Sequence, residues 1–208
     1  MDTSSFLRRT GTLVRAHSLP GWIALLAMAV PWIVVDASGT DQRFGLLTSL
    51  IGVFAQFLLT SALLRREGAH HAWGKPGRAA SFFIAGIVTG LAVSAGMLLL
   101  ILPGLYLYTR WLVTVPLVVG EGESMRGALR SSWDHMGPHL RPATIATAIV
   151  LAPGALALLA QLLFFPVYGP APLWAAVAVN MLLSASLVGS WYFAVAAHLL
   201  VREATIPA

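Results

Sequence analysis

The residues best placed to do chemistry are polar side chains that stand inside long apolar runs: Gln56, Arg110, Thr114, Gln161, Asn180 and Ser184. Arg110 is the only charged residue in the stretch LPGLYLYTRWLVTVP, from Leu102 to Pro116. A charge in the hydrocarbon of a membrane is costly unless it is paired or hydrated, so such a residue is a candidate functional site. No acidic residue occurs inside the apolar runs. The expected partners of Arg110 are therefore hydroxyl or amide oxygens, a freed backbone carbonyl, water or a lipid phosphate.

The uncharged members of this set recur at helical spacing. Gln56 shares a helix face with Gly52 and Thr60, and Asn180 shares one with Ser184. Amide and hydroxyl groups of this kind form hydrogen bonds between membrane helices, and they also line polar cavities. Both interpretations stay open, as do a structural and a substrate-facing role for Arg110.

Other catalytic or metal-binding patterns are missing. The chain has no cysteine, no G-x-S-x-G and no H-E-x-x-H. His135 and His139 are four residues apart, but Gly137 and Pro138 interrupt the helix that would align them. The sequence therefore predicts no enzyme activity, no metal and no cofactor.

Gly86, Gly90 and Ser94 recur every four residues in one apolar run. This spacing of small residues predicts a helix-packing face rather than a serine nucleophile.

The elements that carry these residues are predicted to be membrane helices. Of the 208 residues, 58% are hydrophobic and only 10% are charged, against roughly 25% charged in soluble domains. We predict an all-α, polytopic transmembrane bundle that forms a single domain over residues 1–208. Six spans are expected, at about 19–35, 44–64, 79–102, 105–119, 143–165 and 173–201. Pro103-Gly104 is expected to break the chain before the fourth span, and Pro153-Gly154 to break the fifth.

The basic residues indicate orientation. All but Arg43 and Arg110 fall on one side of the six predicted spans, which by the positive-inside rule places both termini in the cytoplasm. Because the net charge of +5 is spread between apolar runs, nucleic acid is not an expected partner. The alternative for the first span is a cleaved signal peptide with VDA before Ser38.

Two segments have the pattern of amphipathic surface helices. Residues 1–18 are predicted to lie in the cytoplasmic headgroup layer. Residues 123–137 are predicted to form an interfacial helix with Ser124 as its N-cap and an Arg130–Asp134 pair. Its candidates for contact with lipid headgroups or a protein partner are Arg126, Arg130 and Trp133.

The stretch from Leu102 to His139 resembles bacterial six-helix membrane proteins related to the membrane domain of glycerophosphodiester phosphodiesterases. The matching positions are Pro103, Gly104, Tyr106, Arg110, Pro116, Glu121, Ala128, Leu129, Ser131, Ser132, Trp133 and Gly137. The resemblance covers about forty residues and implies an architecture in the bacterial inner membrane. The phosphodiesterase activity of that family belongs to a separate barrel domain of about 250 residues, for which a chain of 208 residues has no room.

The leading functional prediction is a non-enzymatic inner-membrane module that interacts with lipids, anionic ones included, or with transport machinery. The expected partners are membrane lipids, a membrane protein or a second copy of the chain. The alternative is a small transporter or lipid flippase whose polar residues line a pathway. A membrane-embedded enzyme is the third alternative.

Overall fold

The computed structural model describes residues 1–39, 43–69, 78–99, 101–165 and 170–205. Within these ranges the regular structure is helical and no strand occurs. The helices are α1 (Thr3–Ala16), α2 (Ser18–Ser38), α3 (Arg43–Arg66), α4 (Arg78–Leu99), α5 (Ile101–Arg110), α6 (Thr114–Pro116), α7 (Met125–Met136), α8 (Leu140–Phe164) and α9 (Leu173–Thr205). A π-helical turn, Leu117–Glu121, follows α6, and a 3-10 turn, Gly137–His139, joins α7 to α8.

The all-α prediction is confirmed, but the number of spans differs from the prediction. Five segments of the described chain are long and apolar enough to cross a membrane: Ser18–Ser38, Thr48–Arg66, Leu102–Glu121, Met125–Phe164 and Leu173–Ala204. The described apolar stretch of α4, Ala80–Val93, is shorter than the roughly 17 residues that a span requires. By length and hydropathy, five helical segments of the described chain can therefore span a membrane, whereas the sequence predicted six.

Large apolar side chains cover the outside of these helices. Leu162 is 81% exposed, Leu102 77% and Leu91 68%. A water-soluble protein rarely exposes contiguous apolar surface on this scale, whereas a membrane helix presents it to lipid. The chain is therefore a membrane-embedded protein.

α9 is the central helix of the bundle and packs against α1, α2, α3 and α8. Its second half is buried around Tyr192, Phe193 and Val195. Close approach to α8 is possible at Gly154, where an added β-carbon would lie 2.8 Å from Oγ of Ser186. Small residues at such contacts allow membrane helices to pack tightly.

The N-terminal helix α1 is bound to the bundle. Its apolar residues Phe6 and Leu13 are buried, and the rings of Phe6 and Phe193 make an edge contact at 6.0 Å. Thr3 donates a hydrogen bond to the carbonyl of Pro142, at the start of α8. The predicted amphipathic helix is therefore present, but its apolar face packs against protein, because α8 and α9 offer it a surface.

Of the two predicted helix breaks, the one at Pro153-Gly154 is wrong. The one at Pro103-Gly104 stays a prediction, because the junction between the end of α4 at Leu99 and the start of α5 at Ile101 lies outside the described residues. Pro103 and Gly104 lie inside the first turn of α5, where the missing N–H of proline costs nothing because those amides have no partner within the helix. α8 continues through Pro153 without ending. The described chain instead leaves regular α-helix after Arg110, at residues 111–113, and again at the π-helical turn.

Candidate functional site

Arg110 is held by oxygen atoms and aromatic rings. Its Nε donates to the hydroxyl of Tyr106 at 3.1 Å, and its Nη1 donates to the carbonyl oxygen of Trp133 at 3.0 Å. The guanidinium carbon lies 4.6 Å from the centre of the Trp133 ring and 5.4 Å from that of Tyr106. Cation–π contacts of this kind stabilise a fold by about 0.5–2 kcal/mol each, and the contribution is larger where water is excluded.

The acceptor for Arg110 is at the C-terminal end of α7. There the N–H of Gly137 bonds to the carbonyl of Asp134, and the carbonyl of Trp133 accepts from the arginine. Helix C-termini carry a partial negative charge and favour a cation. The carbonyl of Trp133 therefore accepts the hydrogen bond that a carboxylate would accept in many other arginine sites. Backbone carbonyls and hydroxyls were both among the predicted partners of Arg110.

Residues that carry the family resemblance meet around this arginine. Oγ of Ser132 donates to the carbonyl of Arg110 at 3.0 Å, in addition to the contacts with Tyr106 and Trp133. A β-carbon at Gly137 would lie 2.9 Å from Nη1 of Arg110. These separated positions thus form one cluster that fixes α7 and the start of α8 to the end of α5.

Gln56 lies in a different environment, at a cavity of about 290 Å³ between α3, α4, α5, α6 and α9. Its polar walls are Gln56 and Thr60 of α3, Thr89 of α4, Tyr108 of α5 and Ser190 of α9. The apolar and aromatic part of its lining consists of Val93, Trp111, Leu112, Val115, Trp191 and Ala194. Gln56 and Thr89 lie near the midpoints of their helices, so the cavity is at mid-height in the bundle, and it opens to one side at the exposed Gly86 and Gly90.

The residues that line this cavity are uncharged at neutral pH. Arg110 is next to Trp111 in sequence, but its guanidinium points to α7 on the other side. Ring centroids of Trp111 and Trp133 are 6.1 Å apart, so Trp111 connects the cavity wall with the Arg110 cluster. Because an ion would find no counter-charge among these walls, the cavity favours a neutral solute with hydrogen-bonding groups.

Gly86 and Gly90 do not make the helix contact that their spacing predicted. A β-carbon added at either glycine would have no heavy atom of the described residues within 4 Å. Both line the Gln56 cavity instead, and the side chain of Ser94 lies outside the described part of the structure. Without bulky side chains on this face of α4, space remains where a second helix was expected.

The other predicted intramembrane residues have structural partners or lie elsewhere. Asn180 donates to Oδ2 of Asp36 at 2.7 Å and to the carbonyl of Ala176, and so fixes the end of α2 to the start of α9. Ser184 is buried in α9. Thr114 is fully buried, and its hydroxyl has no hydrogen-bond partner among the described residues.

The interfacial helix has its predicted N-cap and a different charge pattern. Oγ of Ser124 accepts the N–H of Gly127, which confirms the cap. Arg126 and Arg130 are exposed, and within the described chain Arg130 forms no ion pair with Asp134. The Trp133 carbonyl and ring are occupied by Arg110, which leaves the two arginines as the parts of α7 free to meet lipid headgroups.

Several site residues were not singled out from the sequence: Thr89, Tyr108, Trp111, Ser190 and His198. Each of the three hydroxyl residues is a single polar group in an apolar run, a weak signal that small packing residues also give. His198 is nearly buried in α9, with its Nε2 3.5 Å from Oε1 of Glu121. Among the described residues, no group of three or more histidine or acidic side chains could hold a metal ion.

Comparison with protein-family models, with curated proteins and with solved structures finds no match. The resemblance to the membrane domain of glycerophosphodiester phosphodiesterases therefore stays a prediction from the sequence.

Proposed function

We propose that this protein is a non-enzymatic membrane module that binds a lipid-like molecule with an uncharged, hydrogen-bonding headgroup. The observation that carries the proposal is the cavity beside Gln56. It combines an amide and four hydroxyl groups with apolar and aromatic walls, which is the usual composition of a small-molecule site.

The lining favours an amphiphile over an ion or a fully apolar molecule. A hydrocarbon chain would leave the amide of Gln56 without a ligand partner. The hydroxyls of Thr89 and Ser190 already donate to the carbonyls of Ala85 and Leu187, so towards a ligand they act as acceptors. An ion would lose its hydration without gaining an opposite charge. A headgroup with hydroxyl or amide groups can pair with the polar lining and needs no opposite charge, because it donates and accepts hydrogen bonds without carrying a net charge.

Binding can be measured with monoolein, a lipid with a neutral dihydroxyl headgroup, added to the protein in detergent. A bound ligand raises the melting temperature in a concentration-dependent way. We expect Gln56→Leu to weaken monoolein binding about tenfold, since a lost hydrogen bond costs about 1.4 kcal/mol. Gln161→Leu is the matched control, because Gln161 is a half-buried glutamine of α8 that does not line the cavity. Equal binding by the Gln56 and Gln161 variants would overturn the proposal.

A transporter or flippase is the second candidate. It is supported by the interruption of the helix within the span Leu102–Glu121. Trp111, Leu112 and Val115 line the cavity at the point where α5 stops and α6 begins. Transporters often place substrate sites at such discontinuous helices near the middle of the membrane.

Because the chain contains no cysteine, single introduced cysteines can be labelled selectively to distinguish the two candidate functions. Thr89→Cys and Ser190→Cys would each be exposed to a membrane-impermeant thiol reagent from one side of a vesicle and then from the other. Reaction from both sides indicates alternating access and a transporter, whereas reaction from one side or neither indicates a binding module. Thr12→Cys, on the exposed face of α1, is the accessible control.

We also propose that the protein resides in a bacterial inner membrane with both termini in the cytoplasm, which requires an even number of spans and therefore counts the 22-residue helix α4 as the sixth. The support is the asymmetry of basic residues and the contact between α1 and the end of α9, which brings both ends of the chain to one end of the bundle. The exposed Arg126 and Arg130 would then meet anionic headgroups on the cytoplasmic side. Labelling of Thr12→Cys in inside-out vesicles but not in intact cells is the expected result.

A further inference from the structure

A second lipid-facing feature lies away from the Gln56 cavity, between α2 and α3. It is an apolar groove of about 450 Å³. One wall is a face of α2 between Leu19 and Ala27, and the other is a face of α3 between Ile51 and Arg66 that includes Ala62. Arg66 is the one charged residue in this lining. We infer that the groove binds one acyl chain of an anionic phospholipid while Arg66 binds the lipid phosphate.

Along α2 the groove is about as long as one leaflet is thick, and along α3 it extends past the middle of the membrane. From Leu19 to Ala27 the groove extends about 12 Å along α2, and from Ile51 to Arg66 about 22 Å along α3, at about 1.5 Å per residue. Half of a hydrocarbon core is about 15 Å thick. Arg66 is the last residue of α3, so the charge is at the end of the groove, where a headgroup would be.

The arginine is oriented by neighbours that leave its charge uncompensated. Nη1 of Arg66 lies 3.4 Å from Nδ1 of His17, and Nε2 of His17 lies 3.0 Å from Oε1 of Glu67. The other carboxylate oxygen of Glu67 is bound by Arg9 at 3.2 Å. Arg66 itself forms no ion pair within the described residues and is exposed. A phosphate is therefore the complementary group for this position.

The proposal is tested by native mass spectrometry of the protein with phosphatidylglycerol or with phosphatidylcholine of the same acyl chains. We expect phosphatidylglycerol to bind more tightly, and Arg66→Gln to weaken its binding about fivefold, as expected for one basic residue near the membrane surface. Phosphatidylcholine binding should weaken less, because its trimethylammonium group already compensates the phosphate that Arg66 would meet. Arg8→Gln is the matched control, because Arg8 is exposed on α1 and does not line the groove.

Ala62→Phe tests the apolar half independently, since the new ring would occupy the groove without removing a charge. It should weaken the binding of both phospholipids and leave the monoolein response of the Gln56 cavity intact. Unchanged phosphatidylglycerol binding in both Arg66→Gln and Ala62→Phe would overturn the proposal. So would a change from dimer to monomer in Ala62→Phe with lipid binding preserved, because the groove would then be an interface between two copies of the chain.

Discussion

Arg110 and Ser132 cap each other's helices. Oγ of Ser132 donates to the carbonyl of Arg110 at 3.0 Å, at the end of α5. The Arg110 guanidinium donates to the carbonyl of Trp133, the next residue after Ser132, near the end of α7. Two helix C-termini that would otherwise have unpaired carbonyls are thus satisfied by one exchange of side chains.

Replacing Arg110 should destabilise the protein before it affects any ligand. We expect Arg110→Ala to lower the free energy of unfolding by about 2–3 kcal/mol, because two hydrogen bonds from a charged group and two cation–π contacts are lost. Arg110→Lys should recover part of this loss, since it keeps the charge but not the planar donor group. Thermal unfolding in detergent measures the effect, with Arg126→Ala on the exposed face of α7 as the control. A stable Arg110→Ala protein that no longer retains anionic lipid would instead assign the arginine a binding role.

The pair of Asn180 and Asp36 should be needed for the junction of α2 and α9. Asn180→Leu removes the 2.7 Å hydrogen bond to Asp36 and leaves a carboxylate without its donor. We expect a loss of about 1–3 kcal/mol in stability. Asp36→Asn preserves an acceptor oxygen and should cost less. Equal losses in the two variants would contradict the assignment of this hydrogen bond.

Of the two ion pairs that Arg9 of α1 forms, the one with Glu67 should contribute more to stability than the one with Glu203. Arg9 contacts both carboxylates, but the Glu67 side chain is 20% exposed and that of Glu203 is 61% exposed. Exposed ion pairs contribute little because water and salt screen them. A double-mutant cycle should therefore give a larger coupling for Arg9 with Glu67, up to about 1 kcal/mol. Protease cleavage of the first sixteen residues is a suitable readout, and equal couplings would show that both pairs are screened alike.

The N-cap of α1 should make its first turn sensitive to acid. Hydrogen bonds from the hydroxyls of Ser5 and Ser4 and from the Ser5 amide hold the pKa of Asp2 well below its usual range. A carboxyl with a lowered pKa stabilises the fold above its unfolded pKa, near 4, and loses that contribution as the pH falls toward the folded value. A nitroxide label at Thr12→Cys should become more mobile below about pH 4. In Asp2→Asn, which keeps a cap that does not titrate, the mobility should not depend on pH in this range.

Two helix glycines should respond in opposite ways to alanine. A β-carbon at Gly21 would lie 2.6 Å from the hydroxyl oxygen of Tyr192, a buried residue whose hydroxyl donates to the carbonyl of His17. Gly21→Ala should therefore disrupt the contact of α2 with α9 and lower the melting temperature. Gly11→Ala should stabilise by about 0.5–1 kcal/mol, because the described part of the structure places no atom from outside the local helix backbone within 4 Å of the new carbon. Similar changes for both variants would rule out the close contact at Tyr192.

Helix periodicity and composition were sufficient to predict the helices, because apolar runs of span length have few alternative structures in lipid. Helix partners were harder to predict. Arg110 finds a backbone carbonyl on a helix that begins fifteen residues later, and nothing in the side-chain sequence specifies that acceptor. Gly86 and Gly90 have the same spacing whether they face a helix or a cavity, so only the three-dimensional arrangement separates the two. Pro153 was misinterpreted because a proline inside a membrane helix is tolerated where neighbouring helices satisfy the backbone group that it frees.

Glu121 lies near His198 because of how the chain is wound before it. A π-helical turn such as Leu117–Glu121 contains one more residue than an α-helical turn would need. Deleting a single residue there would let the turn rewind as α-helix, so the loss of the residue and the loss of the wide turn largely offset each other for the chain that follows. In regular α-helix such as α8, by contrast, each deleted residue rotates the rest of the helix by about 100°. Single-residue deletions should therefore be tolerated better at Leu117–Glu121 than within α8.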